Sequence, residues 1–268
     1  MPRATPAPPP RCPPPSEPEL AIEVVSLGRL PEIRAGDDLG ALIAAAAPAD
    51  LGDGDVVTVA HKAVSKAEGR TVRLSDVVPR ERASVLADQH DKDPRHVEVV
   101  LRESAEVLRA QRGVLICRTH HGLVCANAGV DASNAPGPGE LVLLPREPDC
   151  SARDLRARVR AERGVRPAVV ITDSFGRAWR LGQTDVAIGA AGLLALDDWR
   201  GRADAHGREL RATAIAVADA VAGAADLARA KDAGEPAVLV RGLERFVTAD
   251  DGPGAAALRR PLDEDLFR

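Results

Sequence analysis

The chain has 268 residues, of which 45% are hydrophobic and 28% are charged, and its formal net charge at pH 7 is −4. This composition is typical of a folded protein with a core large enough for one large domain or two small ones. The acidic balance and the 2% aromatic content argue against a nucleic-acid-binding surface. No apolar run approaches the ~20 residues that a membrane-spanning helix needs, so we expect no membrane partner.

The cysteines and the chain ends limit the domain organisation. None of the four cysteines forms a C-x-x-C pair, which argues against a zinc site and indicates thiols in a reducing compartment, the cytoplasm. Residues 1–18 are rich in proline and lack the apolar core of a secretion signal, so we interpret them as a disordered extension. We expect one folded domain over residues 19–250 and a tail over residues 251–268.

The predicted elements do not alternate in a regular strand–helix rhythm. Apolar runs predict strands at residues 20–27, 56–60, 114–117, 141–144, 168–171, 211–217 and 237–240. Caps and helical spacing predict helices after Asp37 or Asp38, from Pro94 to Gly113, over residues 151–162 with a Ser151 cap and an exposed, arginine-rich face, and over residues 218–230. This order favours a mixed α+β fold over a doubly wound sheet.

Residues 169–192 contain the strongest functional signal. A buried strand ends abruptly at Thr172-Asp173-Ser174, and a carboxylate with a hydroxyl at such a place often holds a divalent cation and the phosphates bound to it. We expect Gly176 to turn the chain. Arg177 and Arg180 then suit an anionic ligand, because guanidinium groups grip oxyanions in bidentate fashion. An aspartate that caps a turn and pairs with arginine is the alternative.

Two further polar clusters follow apolar runs, one at residues 56–60 and one at residues 123–125. His61, Lys62 and Lys66 come directly after the strand at residues 56–60 and could collect phosphates, although a lysine-rich run is more often a solvated face. Residues 127–134 include Asp131 and Asn134 and by themselves indicate a turn-rich loop. Taken with Asp173, however, Asp131 gives a second carboxylate that could share one or two hard cations.

Three blocks in fixed order, residues 54–70, 127–134 and 171–189, together resemble the coenzyme F420-0:L-glutamate ligase family, the F420 γ-glutamyl ligases. Residues 36–39 before these blocks and 198–202 after them extend the likeness, which covers roughly residues 22–245. The resemblance implies an α+β fold of mixed sheets and packed helices in two intertwined subdomains. It also implies a homodimer.

The activity that the resemblance implies is GTP-dependent ligation of L-glutamate. The enzyme would join L-glutamate to the lactyl carboxylate of F420-0 and then add γ-linked glutamates, through an acyl-phosphate intermediate. Two Mg²⁺ or Mn²⁺ ions per site and a K⁺ ion would assist. Two alternatives remain: a related ligase that acts on another carboxylate acceptor, and a non-catalytic homologue that binds GTP or F420.

The resemblance also assigns roles to individual residues. Asp131 and Asp173 would bind one metal ion and Ser174 a second, while Asp173, Arg177 and Lys66 would carry the chemistry. The implied GTP contacts are Leu30, Pro31, Glu32, Ile33, His61, Lys62, Lys66, Asn134, Lys231, Asp232 and Gly234.

Two segments depart from the family pattern. The family has a glycine-rich loop where this chain has residues 228–235, of which only Gly234 is glycine. Asp232 or Glu235 could replace the acidic metal ligand of that loop, or the second metal ion could be held more weakly. Residues 260–267 resemble the linker that leads to a flavin-binding reductase domain in two-domain relatives. No such domain follows in this sequence, so we expect no FMN site.

Overall fold

The computed structural model describes residues 21–265, in which six α-helices and twelve strands follow one another. The elements are β1 (Glu23–Ser26), α1 (Leu39–Ala46), β2 (Val56–Ala60), α2 (His61–Ala67), β3 (Thr71–Arg73), α3 (Glu81–His90), α4 (Pro94–Arg102), β4 (Ser104–Gln111), β5 (Val114–Thr119), β6 (Val124–Ala126), β7 (Glu140–Val142), α5 (Pro148–Arg163), β8 (Ala168–Arg177), β9 (Arg180–Ala191), β10 (Leu196–Asp198), β11 (Ala214–Ala216), α6 (Val217–Leu227) and β12 (Ala237–Arg241). In this part of the chain, no helix has the length and apolar character needed to cross a bilayer.

A five-stranded sheet in the order β1-β12-β2-β8-β9 forms the centre of the fold. Strands β2 and β8 are parallel, and the other neighbours are antiparallel. The central strands are apolar at successive positions because both faces of the sheet are covered. Val57, Val59 and Ile171 belong to the core shared with α1, α2 and α5, whereas Val56 and Val170 belong to the core shared with α6.

A second lobe lies between the two halves of the sheet in the sequence. Helices α3 and α4 pack against the antiparallel sheet β4-β5-β6, and they share a core that includes Ala83, Val97 and Leu115. Strands β3 and β7 pair with each other beside this core. The pair leads the chain from the first half of the central sheet into the lobe and back again.

The predicted α+β class is confirmed, as are two of the predicted helix starts. Asp38 caps α1 by accepting a hydrogen bond from the backbone nitrogen of Ala41. Asp93 caps α4 in the same way, and Pro94 occupies the first turn of that helix. Both caps satisfy backbone donors that an α-helix leaves unpaired at its first turn.

The predicted helix from Pro94 to Gly113 is wrong in its second half. Helix α4 ends at Arg102, and residues 104–111 form β4. Arg112 and Gly113 have φ angles of 50° and 76°, which is the backbone of a two-residue hairpin turn into β5. The apolar spacing of residues 97–108 looks helical, but pairing with β5 decides the conformation.

The predictions for residues 151–162 and Gly176 also need correction. Helix α5 starts at Pro148 rather than at Ser151, and its Arg156 is only 2% exposed, so the arginines do not form a purely exposed face. Gly176 lies inside β8, which continues to Arg177 and turns at residues 178–179. The proline-rich segment 1–18 and the last residues of the tail lie outside the described residues.

Candidate active site

A cavity of about 760 Å³ opens where the parallel pairing of the central sheet ends. That pairing stops at Ala60 and Thr172: the chain enters α2 after Ala60, whereas β8 continues paired only with β9. Every site residue predicted from the sequence lines this cavity except Arg177 and Arg180, which are both exposed on the β8–β9 hairpin. Arg177 instead donates a hydrogen bond of 2.7 Å to the backbone oxygen of Leu181, near the exposed tip of the β8–β9 hairpin. The structure therefore does not bring Arg177 together with the others.

Asp173 is held by the first residue of α2. His61 is 2% exposed, and its Nε2 lies 3.1 Å from Oδ1 of Asp173. The same Oδ1 accepts a hydrogen bond of 2.8 Å from the backbone nitrogen of Ser174. The other ring nitrogen of His61, Nδ1, is buried and has no hydrogen-bond partner among the described residues. The imidazole thus orients a carboxylate, and its predicted contact with GTP stays a prediction.

Asp131 lies across the cavity, in the segment between the two lobes. Its backbone pairs with Val142, which fixes the loop that follows the turn at residues 127–129. Its Oδ2 accepts hydrogen bonds from Lys62 Nζ at 2.6 Å and from Ser133 Oγ at 2.9 Å. Burial raises the pKa of Asp131, but these hydrogen bonds and the charge of Lys62 outweigh burial and hold the pKa below its usual value. The carboxylate is ionised at neutral pH.

A third carboxylate, that of Asp185, is buried and lies on β9 opposite Ser174. Its oxygens accept hydrogen bonds from Ser174 Oγ at 2.6 Å and from Thr172 Oγ1 at 2.8 Å, and the guanidinium of Arg229 donates to it as well. Burial raises the pKa of Asp185, but the hydrogen bond from Ser174 and the charge of Arg229 prevail, so the pKa lies below its usual value. Asp185 is thus an anion that its neighbours neutralise.

The loop 228–235 places a lysine beside this group. Lys231 Nζ lies 2.9 Å from Ser174 Oγ and 2.7 Å from Asp226 Oδ1. It is also 3.6 Å from Asp185 Oδ1. Of the two acidic residues in the same loop, Glu235 accepts a hydrogen bond of 2.9 Å from Ser26 Oγ, and Asp232 is exposed at the cavity wall. The loop therefore presents a cation, rather than a carboxylate, to Ser174.

Sequence reasoning missed Asp185, Arg229 and Thr172 as parts of the site. Asp185 lies within the stretch that carried the strongest signal, but its nearness to Ser174 follows from the hairpin register, which no local pattern encodes. Arg229 comes from the segment between α6 and β12, far from β8 in sequence. The pairing of β12 with both β1 and β2 brings this segment to the cavity.

A second cavity of about 650 Å³ adjoins the first. The two share Glu32, Ile33, Lys66 and Pro136 as lining residues, and Lys66 Nζ lies 2.6 Å from Glu32 Oε1 at their boundary. The second cavity is also lined by Arg34 and Arg73. Asp76 and Glu140 line it as well, and Glu140 accepts a hydrogen bond from Arg73, so the lining of the second cavity carries charges of both signs.

The donor atoms fit one of the two predicted metal ions better than the other. Among residues 21–265, no three His, Cys, Asp or Glu side chains converge in a geometry ready for a metal ion. Asp131 and Asp173 nevertheless line the same cavity and offer carboxylate oxygens, the ligands that Mg²⁺ and Mn²⁺ prefer. Ser174 does not fit the second ion in the same way, because its hydroxyl donates to Asp185 and accepts from Lys231.

Comparison with known proteins identifies the family. The family model described as F420-0:Gamma-glutamyl ligase matches residues 28–242. The chain belongs to this family. The matched segment contains every residue that lines the larger cavity, from Arg29 to Pro236. The protein is a ligase, as the names of its curated relatives also indicate.

Three curated relatives, each named "Coenzyme F420:L-glutamate ligase", are similar over nearly the whole chain. The protein from Methanopyrus kandleri is 47% identical over 253 residues, which cover 94% of this chain and 98% of the relative. The protein from Haloarcula marismortui is 42% identical, covering 92% of this chain and 96% of the relative. The protein from Methanothermobacter thermautotrophicus is 40% identical, covering 93% of this chain and 100% of the relative.

Proposed function

We propose that this chain is a GTP-dependent ligase that adds L-glutamate to coenzyme F420-0 and then adds further γ-linked glutamates. One observation carries the proposal: a single cavity gathers Asp131, Asp173, Lys62 and Lys66 within the segment that matches the F420-0:γ-glutamyl ligase family. The names of the curated relatives contain coenzyme F420 and L-glutamate, the family description contains F420-0, and the dependence on GTP comes from the resemblance. A GTP-dependent reaction of this kind belongs in the cytoplasm.

The reaction needs an activated acceptor, because a carboxylate at neutral pH has no good leaving group for an amine to displace. The lactyl carboxylate of F420-0 would attack the γ-phosphorus of GTP, giving an acyl phosphate and GDP. The amine of glutamate would then attack the acyl carbon and expel inorganic phosphate, and the amide forms as the nitrogen loses its proton. The protein contributes positioning and charge neutralisation, which dominate phosphoryl transfer.

The residues divide this work between them. Asp131 and Asp173 would hold a Mg²⁺ or Mn²⁺ ion, which supplies positive charge next to the phosphates when bound. Lys62 and Lys66 lie on successive turns of α2 and would neutralise phosphate oxygens. Their present partners, Asp131 and Glu32, would exchange these ammonium groups for ligand contacts. The K⁺ ion and the homodimer implied by the resemblance belong to the same proposal.

The adjoining cavities provide space for two substrates side by side. The larger cavity contains the predicted contacts of GTP, and the smaller one, with Arg34 and Arg73, would take the acceptor. Lys66 at the boundary lies where the γ-phosphoryl group and the attacking carboxylate would meet. An ammonium at that place lowers the repulsion between two anions that must come together.

The decisive experiment is mass spectrometry of F420-0 after incubation with the protein, GTP, L-glutamate and Mn²⁺. We expect a ladder of products, each heavier by one glutamyl residue, and release of one phosphate per step. The variant Asp173→Asn, which keeps the size and one oxygen of the side chain, should fold normally and give no ladder. An unshifted F420-0 peak despite GTP binding would contradict the proposal and favour a non-catalytic binder. Phosphate release with another carboxylate acceptor only would favour a related ligase.

A further inference from the structure

The amino group of Lys231 lies at the side chain that was predicted to bind a second metal ion. Its Nζ is 2.9 Å from Ser174 Oγ and 2.7 Å from Asp226 Oδ1. Asp185, whose Oδ1 accepts from Ser174, is 3.6 Å from the same nitrogen. A divalent cation coordinated by the Ser174 hydroxyl would need the volume that this ammonium occupies.

Strand geometry separates Asp173 and Ser174, the two predicted metal ligands on β8. Asp173 and Ser174 are successive residues of β8, so their side chains point to opposite faces of the strand. Asp173 points to the face with His61, whereas Ser174 shares its face with Thr172 and Asp185. The surroundings of Ser174 are therefore distinct from those of the Asp131–Asp173 pair.

The charges around Ser174 are already balanced. The carboxylates of Asp185 and Asp226 face the guanidinium of Arg229 and the ammonium of Lys231. The side chains of Arg229 and Asp185 are only 7% and 4% exposed, so water screens this pair weakly. A divalent cation added to this group would meet two resident positive charges and no uncompensated anion.

We propose that Lys231 takes the place of the second divalent cation, so that this centre holds one divalent ion per chain together with a tethered ammonium. The inference deepens the proposed function, because it assigns the loop 228–235 a role in charge neutralisation at the same site. The ammonium offers three donors on a flexible stem, and the Lys231 side chain is 68% exposed. It can therefore turn from Ser174 towards a phosphate oxygen that enters the cavity.

Counting Mn²⁺ ions tests this inference without turnover. Wild-type protein and Lys231→Met are titrated with Mn²⁺ alone, and the unbound ion is measured by electron paramagnetic resonance. Methionine keeps an unbranched side chain but removes the charge, which leaves the Asp185, Asp226 and Arg229 group with a net negative charge. We expect Lys231→Met to bind one more Mn²⁺ per chain than the wild type. Lys231→Arg, which keeps the charge, should bind the same number as the wild type.

Equal Mn²⁺ counts for wild type and Lys231→Met would overturn the inference, and so would a higher count for Lys231→Arg. Because Lys231 is largely exposed, neither variant should unfold, and thermal denaturation monitored by circular dichroism checks this. The number of bound Mn²⁺ ions is measured without turnover, so it does not depend on whether the ligase reaction takes place. A missing glutamate ladder with a one-ion difference would leave the lysine assignment standing, whereas a normal ladder with equal counts would overturn only the lysine assignment.

Discussion

At the scale of the residue, His61 orients the carboxylate of Asp173. A carboxylate only accepts hydrogen bonds, so the Nε2 that faces Asp173 must carry a proton. Burial of the ring leaves it little freedom to move, and the Asp173 carboxylate is fixed between this donor and the Ser174 backbone. The residue that we propose as a ligand of the metal ion is thereby oriented by a neighbour, as is common around metal sites.

We therefore expect His61→Leu to lower kcat by roughly 10- to 100-fold, the usual effect of losing such an orienting partner. Leucine fills the buried space but cannot donate a hydrogen bond to Asp173. His61→Gln, which keeps an N–H donor, should retain more of the activity. Steady-state kinetics with GTP as the varied substrate gives the answer. A rise in KM for GTP with unchanged kcat would instead show that His61 contacts the nucleotide directly.

At the scale of the element, α4 depends on its cap. Asp93 accepts hydrogen bonds from both the side chain and the backbone of Arg95. The Arg95 side-chain hydrogen bond, more than any other effect, lowers the pKa of Asp93 to about 2 from its usual value of 3.8. A carboxyl group whose pKa is lower in the folded than in the unfolded state stabilises the fold at pH values above its pKa in the unfolded state. For Asp93, this contribution is lost as the pH falls from about 4 towards 2.

Asp93→Ala should lower the free energy of unfolding at pH 7 by about 1 kcal/mol, the usual cost of removing a helix cap. The difference from the wild type should shrink as the pH approaches 2. Asp93→Asn keeps an accepting oxygen, so it should lose less stability at pH 7 and show a flatter dependence on acid pH. Urea denaturation of the three proteins at pH 7 and at pH 3 measures both effects. If the free energies of unfolding of the wild type and Asp93→Ala differed equally at both pH values, the role of the Asp93 carboxylate as a cap would be contradicted.

Strands that are buried on both faces of the sheet could be predicted from the sequence. Features that are decided by contact with another segment of the chain could not. The apolar runs of β2, β8 and β12 indicated central strands directly. Strand β4 was read as helix because its conformation comes from pairing with β5. Arg156 was predicted to be exposed, yet it donates hydrogen bonds to the backbone oxygens of Thr248 and Asp250, which lie far along the chain.

The same distinction holds for the active site. Asp173 stands out because polarity changes sharply at the end of an apolar run, a local signal, whereas Asp131 became a candidate only when it was taken together with Asp173. Asp185 and Arg229 have no such signal, since each depends on which segment the fold places opposite it. Lys231 was predicted as a contact of GTP, but its position beside Ser174 needed the path of the chain from α6 to β12.

At the scale of the whole molecule, the two lobes differ in how local their contacts are. The core of the second lobe draws on a contiguous segment, residues 72–143. The two cores on the faces of the central sheet combine residues from before and after that segment. Closing long loops costs conformational entropy before the distant contacts form, so structure built from local contacts tends to form first.

We therefore expect β4 and β5 to gain protection from hydrogen exchange earlier during refolding than β2 and β12. Pulse labelling after dilution from urea, followed by proteolysis and mass spectrometry, separates the peptides of the two lobes. The peptides that cover α5 provide an internal control, because that helix packs on the central sheet and should follow its time course. Simultaneous protection of all peptides would contradict the expected order.

The position of β12 has a consequence for synthesis on the ribosome. This strand lies between β1 and β2, the first two strands among residues 21–265, and these two do not pair directly with each other there. At about 5 to 20 residues per second, a ribosome needs roughly 9 to 36 s to go from the end of β2 at Ala60 to the end of β12 at Arg241. Throughout that time, the nascent chain carries two apolar strands whose shared neighbour does not yet exist. We therefore expect the unpaired edges of β1 and β2 to need protection by chaperones until β12 has been made.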